Sequence, residues 1–186
     1  MIAKVNHFSV FVTYCICTIL PLCVSAQQQS YDEYALKTAF LYRSLHYIEW
    51  PAIPTNKADT TLTICAVSGD AFSSTIKSLH FKAVNQHKII VKTFAHYKQM
   101  HGCQVVYIGK NASDEVFDFF ATKNVLTVSD YPGFIEDGGI INFPLQEDKV
   151  GIEINNDEAV KHNLKISAKL LRIAIVKNYP NPTNTP

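Results

Sequence analysis

Apolar residues recur with two different periods along the chain, and these periods predict its secondary structure. Between Tyr31 and Ile48 they recur every three or four residues, which predicts an amphipathic helix with a broad buried face. Pro51 ends this helix after Trp50, because a proline disfavours the helical conformation of the residue before it. Further along, short runs rich in Val and Ile predict strands, and amphipathic segments between them predict helices.

Strands and helices alternate through the centre of the chain. In order, the pattern predicts strand Thr61–Val67, helix Ala71–Leu79, strands Lys88–Thr93 and Gln104–Gly109, helix Asp114–Phe120 and strand Val125–Val128. Alternation of this kind is typical of a parallel sheet that is covered by helices.

The last third of the chain departs from this alternation. Ile140–Phe143 and Val150–Ile154 flank a polar turn at Gln146–Lys149 and predict a hairpin. Two helices are predicted after it, over Asp157–His162 and Ser167–Lys177. We therefore expect an α/β fold in three layers: a mostly parallel sheet flanked by helices, with an antiparallel hairpin at one edge.

Residues 1–26 have the three parts of a secretory signal peptide. Lys4 supplies a weak basic start, Phe8–Leu22 is apolar and uncharged, and small residues precede Gln27. The apolar run is about 15 residues, short of the roughly 20 that span a bilayer, so cleavage before Gln27 is favoured over a membrane anchor. Lipidation at Cys23 is a third alternative, disfavoured because the residue before it is a bulky leucine.

Cleavage there would leave residues 27–186. We expect one α/β domain over residues 27–177 and a flexible tail over residues 178–186, which are rich in Pro and Asn. Loss of the leader also removes Lys4 and brings the formal net charge from +1 to zero. Since no basic stripe is evident, the composition argues against nucleic acid as a partner.

Two cysteines remain after the leader, Cys65 and Cys103. In an exported chain an even pair is most simply a disulfide, and two buried free thiols are the alternative. We expect no metal, because the cysteines lack the paired spacing of a zinc site and the histidines form no HExxH motif. We expect no cofactor either, because the glycines form no nucleotide-binding loop.

Ser129 and Asp130 stand at the end of a predicted strand, where α/β enzymes often hold catalytic groups. Neighbours on a strand point apart, and the chain has no GxSxG elbow, so no catalytic residue is predicted and a hydrolase with an unrecognised site is the least favoured function. Asp130 is expected to accept backbone N–H groups of the turn Tyr131–Gly133. Both residues are kept as candidate contacts for a partner or ligand.

Two apolar features are further candidate contacts. Trp50, the only tryptophan, either packs under the sheet or lies at an interface. The predicted last helix is apolar nearly all round, so part of it must be core and part is available to a partner or to a second copy in a homodimer. The residues concerned are Leu170, Leu171, Ile173, Ile175 and Val176.

Six segments follow one another along the chain: Tyr34–Pro51 (YALKTAFLYRSLHYIEWP), Leu62–Asp70 (LTICAVSGD), Gly102–Gly109 (GCQVVYIG), Leu126–Phe143 (LTVSDYPGFIEDGGIINF), Glu153–Asn155 (EIN) and Ile166–Leu171 (ISAKLL). Together they resemble the YfiR-like family of periplasmic regulators. The series spans nearly all of the chain after the leader, and the ordered set is more specific than any one segment.

The resemblance implies a compact α/β domain in the periplasm that acts as a regulator without catalytic activity. It implies that the protein binds the periplasmic region of an inner-membrane diguanylate cyclase or other sensor protein and represses it, and so controls cyclic di-GMP and biofilm formation. An OmpA-like outer-membrane lipoprotein that sequesters the regulator is a further implied partner. The first cysteine pair of the family matches Cys65 and Cys103, and this chain has no later cysteine that could form a second pair.

The alternative function is a periplasmic small-molecule sensor or binding protein. Such a protein would use the crevice outside the carboxyl ends of the strands, near Gly69 and Ser129.

Overall fold

The computed structural model describes residues 24–50, 61–67, 69–113 and 115–177. The predicted leader core, the lipidation site Cys23, the helix-ending Pro51 and the predicted tail lie outside these residues. Residue contacts divide the chain into one compact unit that ends at Glu33 and a second that begins at Tyr34. No helix in the described ranges is long and apolar enough to cross a bilayer.

The helices and strands follow in close succession. The helices are α1 (Val24–Leu45), α2 (Ala71–Ile76), α3 (Glu115–Phe120), α4 (Asn156–Lys161) and α5 (Ala168–Leu171), with 3₁₀ turns at Lys77–Leu79 and Tyr97–Gln99. The strands are β1 (Ile48–Glu49), β2 (Thr61–Val67), β3 (Ala83–Val84), β4 (His87–Phe94), β5 (Val105–Tyr107), β6 (Leu126–Ser129), β7 (Ile141–Asn142), β8 (Leu145–Gln146), β9 (Lys149–Val150), β10 (Glu153–Ile154), β11 (Lys165–Ile166) and β12 (Ile175–Val176).

The main sheet of the described chain has eight strands in the order β12-β10-β7-β6-β5-β2-β4-β3. Its centre is parallel, from β4 through β2, β5 and β6 to β7, whereas β3 and β10 pair antiparallel with their neighbours β4 and β7. The predicted fold class, a mostly parallel sheet with helices and an antiparallel part, is confirmed.

Successive residues of the central strands alternate between two hydrophobic clusters on opposite faces of the sheet. Ile64 and Ala66 of β2 belong to a large cluster that includes residues of α1, α2, α4 and α5. Cys65 between them belongs to a smaller cluster with α3. Tyr107 and Val106 of β5 divide in the same way, because side chains on a strand point alternately to its two faces.

Helix α1 ends three residues before the predicted end at Ile48. Ile48 pairs instead with Ile166 across the short sheet β1–β11, and Ser167 N donates to Tyr47 O at 2.9 Å. Ile48 is buried, and its branched side chain is suited to an extended backbone. A tertiary strand pairing therefore overrides the local helical pattern here.

The predicted helix Ser167–Lys177 is wrong over its second half. Ser167 caps α5 by accepting a hydrogen bond from Lys169 N, but α5 ends at Leu171. Ile175–Val176 then forms β12 parallel to β10, with Ile175 N donating to Ile152 O at 2.8 Å. Branched Ile and Val residues favour a strand once a sheet edge offers backbone partners.

The predicted hairpin is present, but its second arm is divided. Asn142 of β7 pairs antiparallel with Glu153 of β10 inside the main sheet. The residues nearer the turn form the separate ribbon β8–β9, and Gly151 N donates to Pro144 O at 2.9 Å where the two parts meet. The hairpin also does not form the edge of the sheet, because β12 lies outside β10.

Candidate functional site

A crevice of about 640 Å³ opens at the carboxyl ends of the parallel strands. Its walls come from α1 and from the segments that follow β2, β4, β5 and β6. The chain leaves β2 toward β4 on one side and later returns to β5 on the other side, so the strand order reverses between β2 and β5. Ligands of α/β proteins bind at such a switch point.

Asp70 enters the crevice just after β2. Gly69 precedes it with φ of +125°, a backbone conformation that favours glycine and turns the chain sharply toward α2. One carboxylate oxygen of Asp70 accepts from Ser73 N at 2.6 Å and caps the helix. The other lies so close to Gly109 that a Cβ there would come within 2.8 Å of it, so Gly109 leaves space for this carboxylate.

Tyr107, the last residue of β5, stands between two carboxylates. Its hydroxyl donates to Asp130 Oδ1 at 3.1 Å. Burial, followed by the nearby charges of Asp130 and Asp70, raises the pKa of the Tyr107 hydroxyl far above its usual range. The hydroxyl therefore stays protonated at physiological pH and acts as a donor.

Asp130 also accepts from a lysine that α1 buries beneath it. Lys37 is 2% exposed, and its Nζ lies 2.9 Å from Asp130 Oδ2. A buried ammonium is costly unless a charge partner compensates it. These side-chain partners differ from the backbone N–H groups of Tyr131–Gly133 that the sequence predicted for Asp130.

Ser129 takes no part in the crevice surface. It is fully buried, and its Oγ donates to Ile108 O at 2.6 Å. Ser129 and Asp130 point apart, as expected for neighbours at a strand end. Of the two candidate contacts in this loop, the structure brings only Asp130 into the crevice, where it lies with Asp70 and Tyr107 and is bonded to the buried Lys37.

This arrangement is suited to binding a small molecule. Tyr34, Tyr97 and Tyr131 add aromatic rings to the wall around the polar groups. Binding sites commonly combine apolar or aromatic walls with a few placed polar groups, in volumes of about 300–1,000 Å³. In the described ranges, no three His, Cys, Asp or Glu side chains are grouped so that they could hold a metal ion.

The other candidate contacts lie away from the crevice. Trp50 is half-buried against the large cluster, and its Nε1 donates to Gln104 O at 3.3 Å. Leu170 is buried and Leu171 half-buried, whereas Ile173 is 71% exposed. Ile175 and Val176 of β12, two and three residues further along, are exposed as well. Together, Ile173, Ile175 and Val176 form the C-terminal apolar edge.

Cys65 and Cys103 form a disulfide with a Cα–Cα distance of 5.9 Å. Both are buried in the cluster on the α3 side of the sheet. The pairing that the cysteine count favours is present, and it joins β2 to the segment that leads into β5.

Lys37 and Tyr107 were not predicted as site residues. The spacing of residues in the sequence could have indicated Lys37, because it lies four residues before Leu41 and eight before Leu45, on the buried face of α1. A lysine on an apolar stripe indicates a buried charge partner. Tyr107 offered a weaker signal, since an aromatic residue on a strand is most often core.

The family model described as YfiR/HmsC-like matches residues 34–175. The chain belongs to the YfiR/HmsC-like family. The resemblance seen in the sequence is therefore confirmed, and the crevice, the disulfide and most of the C-terminal apolar edge lie within the matched residues.

Two solved structures are similar to this YfiR/HmsC-like chain. A conserved domain protein from Vibrio cholerae O1 biovar El Tor strain N16961 is 12% identical with a TM-score of 0.51, over 78% of this chain and 60% of that one. The ABC domain in complex with L-Trp from Streptococcus pneumonia is 9% identical with a TM-score of 0.49, over 77% of this chain and 60% of that one.

The chain thus spans about three fifths of the length of each of these proteins. At 12% identity the Vibrio likeness shows a shared α/β fold alone. No curated protein sequence matches the chain.

Proposed function

We propose that this protein is an exported, non-enzymatic regulator that binds and represses a membrane signalling protein. The proposed target is a diguanylate cyclase, whose repression would lower cyclic di-GMP and limit biofilm formation. The observation that supports this most strongly is the YfiR/HmsC-like match over residues 34–175.

The proposed place of action is the periplasm, after removal of residues 1–26. The partner would be the periplasmic region of the inner-membrane protein, and an OmpA-like outer-membrane lipoprotein would compete for the regulator. The regulator would act by binding one conformation of the cyclase better than the other, which shifts the population of the cyclase toward that state.

The C-terminal apolar edge supports a role in protein binding. Strand β12 is the last strand of the main sheet, so one side of its backbone faces away from the sheet. Ile173, Ile175 and Val176 are exposed beside it. Exposed apolar residues along a sheet edge commonly mark a surface that pairs with another chain, either a partner or a second copy.

The proposal is tested by co-purification and by measurement of cyclic di-GMP. The tagged protein should recover a membrane cyclase from cells, and its deletion should raise cyclic di-GMP. Ile173→Lys and Ile175→Lys should weaken the recovery at least tenfold, while Val160→Lys, at an exposed apolar position on α4, should not. Unchanged cyclic di-GMP after deletion, across growth conditions, would contradict the cyclase as target.

The crevice favours a second function, the binding of a small molecule. Its volume of about 640 Å³ and its place at the switch point are those of a ligand site. A metabolite that binds there should raise the melting temperature in a dose-dependent manner, because ligands stabilise the state that they bind. A screen in which no compound raises it would count against this second function.

A further inference from the structure

The crevice contains a carboxylate, Asp70, for which the described part of the chain supplies no ion-pair partner. Of the two carboxylates, Asp130 is paired with the ammonium of Lys37 at 2.9 Å. Among the described residues, no cationic side chain lies within ion-pair distance of Asp70. Lys110 also lines the crevice but is exposed, so solvent screens its charge. His96 also lines the crevice, and its Nδ1 accepts from Lys98 N at 3.2 Å.

We propose that the crevice binds a small organic ammonium ion and that Asp70 is the residue that receives its charge. This inference rests on the second function above, the binding of a small molecule in the crevice, and names the chemical class of that molecule.

The hydrogen-bond donors around Asp70 support this class. The Tyr107 hydroxyl lies near both carboxylates, but it has a single proton and its hydrogen bond at 3.1 Å goes to Asp130. One oxygen of Asp70 accepts from Ser73 N, which leaves Oδ2 on the side facing Gly109. An ammonium group brings up to three N–H donors together with the positive charge.

The aromatic wall supports the same class. Tyr34, Tyr97 and Tyr131 line the crevice with Tyr107. Aromatic faces attract cations and also cover the apolar body of an amine. An anionic ligand would meet the charge of Asp70, and a neutral one would leave that charge without a partner.

The test compares three probes that share a phenyl ring and differ in charge. Phenethylammonium, 2-phenylethanol and 3-phenylpropionate are titrated into the purified protein at pH 7 and low salt, and heats of binding are measured. Ethylammonium is included in case the ring is too large. We expect an ammonium probe to bind at least tenfold more tightly than the alcohol, and the carboxylate to show no binding.

Asp70→Asn is the matched variant. Asparagine keeps a side-chain oxygen that can cap α2 through Ser73 N, so the fold is retained while the charge is lost. We expect at least a tenfold loss of affinity for the ammonium probe. Asp118→Asn, at an exposed position of α3 outside the crevice, should bind like the original protein, and circular dichroism should show equal unfolding for both variants.

The outcomes distinguish whether the crevice binds a small molecule at all from whether that molecule is an ammonium ion. If no probe binds and the metabolite screen also finds no ligand, the crevice is not a binding site and both proposals fail. If the alcohol or the carboxylate binds as tightly as the amines, the ligand class is wrong and the site stands. If Asp70→Asn retains full affinity, Asp70 does not receive the charge.

Discussion

Lys37 is the residue whose position is least expected from its chemistry. It lies on the face of α1 that also carries Leu41 and Leu45, and it is as deeply buried as they are. The ion pair with Asp130 compensates its charge and fastens α1 to the end of β6. A buried pair is weak evidence for net stability, but loss of one partner leaves an uncompensated charge.

Lys37→Met should therefore destabilise the fold. We expect about 2–3 kcal/mol, below the 3–5 kcal/mol of a fully buried pair because Asp130 reaches solvent. The free energy of unfolding in urea measures this. The double variant Lys37→Met/Asp130→Asn should recover part of the loss, since it removes the charge left behind. A single variant as stable as the original protein would show that the pair does not hold α1.

Gly139 gives a second prediction at the same scale. A Cβ at this position would overlap the buried ring of Phe134. Gly139→Ala should cost about 1–3 kcal/mol, as overpacked cores do. Gly151→Ala is the control, because its Cβ would meet Pro144 at an ordinary 3.6 Å, and it should change the melting temperature little. Equal melting temperatures for the two variants would mean that Phe134 moves aside at no cost.

At the scale of elements, the parallel centre of the sheet could be predicted and its margins could not. Strand β2 matches the predicted bounds, since a run such as TLTICAV between turn residues has few alternatives. The error at Ser167–Lys177 has a specific cause. The residues after Leu171 fit a helix or a strand, and the choice depends on Ile152 and Ile154, whose carbonyl groups accept from the backbone of Ile175 and Lys177.

Lys177 holds β12 to the sheet and makes its stability depend on pH. Its hydrogen bonds to Glu153 and then Glu136 raise the pKa of the Lys177 ammonium well above its ordinary value. A raised lysine pKa contributes stability that is fully present below the ordinary pKa of about 10.4 and is lost as pH rises beyond it. Lys177→Met should cost about 2 kcal/mol at pH 7 because buried Glu153 loses its cation.

The measurement is urea unfolding of both proteins between pH 6 and pH 11. The difference in free energy should be constant from pH 6 to 9 and should shrink above about pH 10.4. A difference that already declines between pH 6 and 9 would show that a group other than Lys177 is responsible.

At the scale of the whole molecule, the disulfide connects residues 38 apart in sequence. Cross-linking a loop of this size lowers the entropy of the unfolded chain, which corresponds to about 4 kcal/mol in the chain-entropy model. Cys65→Ala/Cys103→Ala should lose about 2–4 kcal/mol of unfolding free energy in urea, and dithiothreitol should have the same effect on the original protein only. Equal stability with and without the bridge would contradict a structural role.

The place of the candidate site follows from topology and could be predicted, whereas its residues could be predicted only in part. The crevice opens near Gly69, where the alternation of strands and helices places a ligand site. The contribution of α1 depends on a contact between residues 93 apart in sequence, Lys37 and Asp130, which no local pattern encodes. Ser129 is the opposite case. It was kept as a candidate contact because it is polar and ends a strand, but its Oγ donates to Ile108 O, next to the neighbouring strand β5.

The strand order that creates the switch point also affects how the chain folds. Strand β2 comes first in sequence among the strands of the main sheet but lies between β4 and β5, and both partners are parallel to it. Parallel pairing cannot be made by a tight turn, so β2 must wait for a distant segment on each side. An unpaired, apolar β2 is a hazard for aggregation in the meantime. The protein should accordingly refold on the scale of milliseconds to seconds, and refolding yield should fall as protein concentration rises.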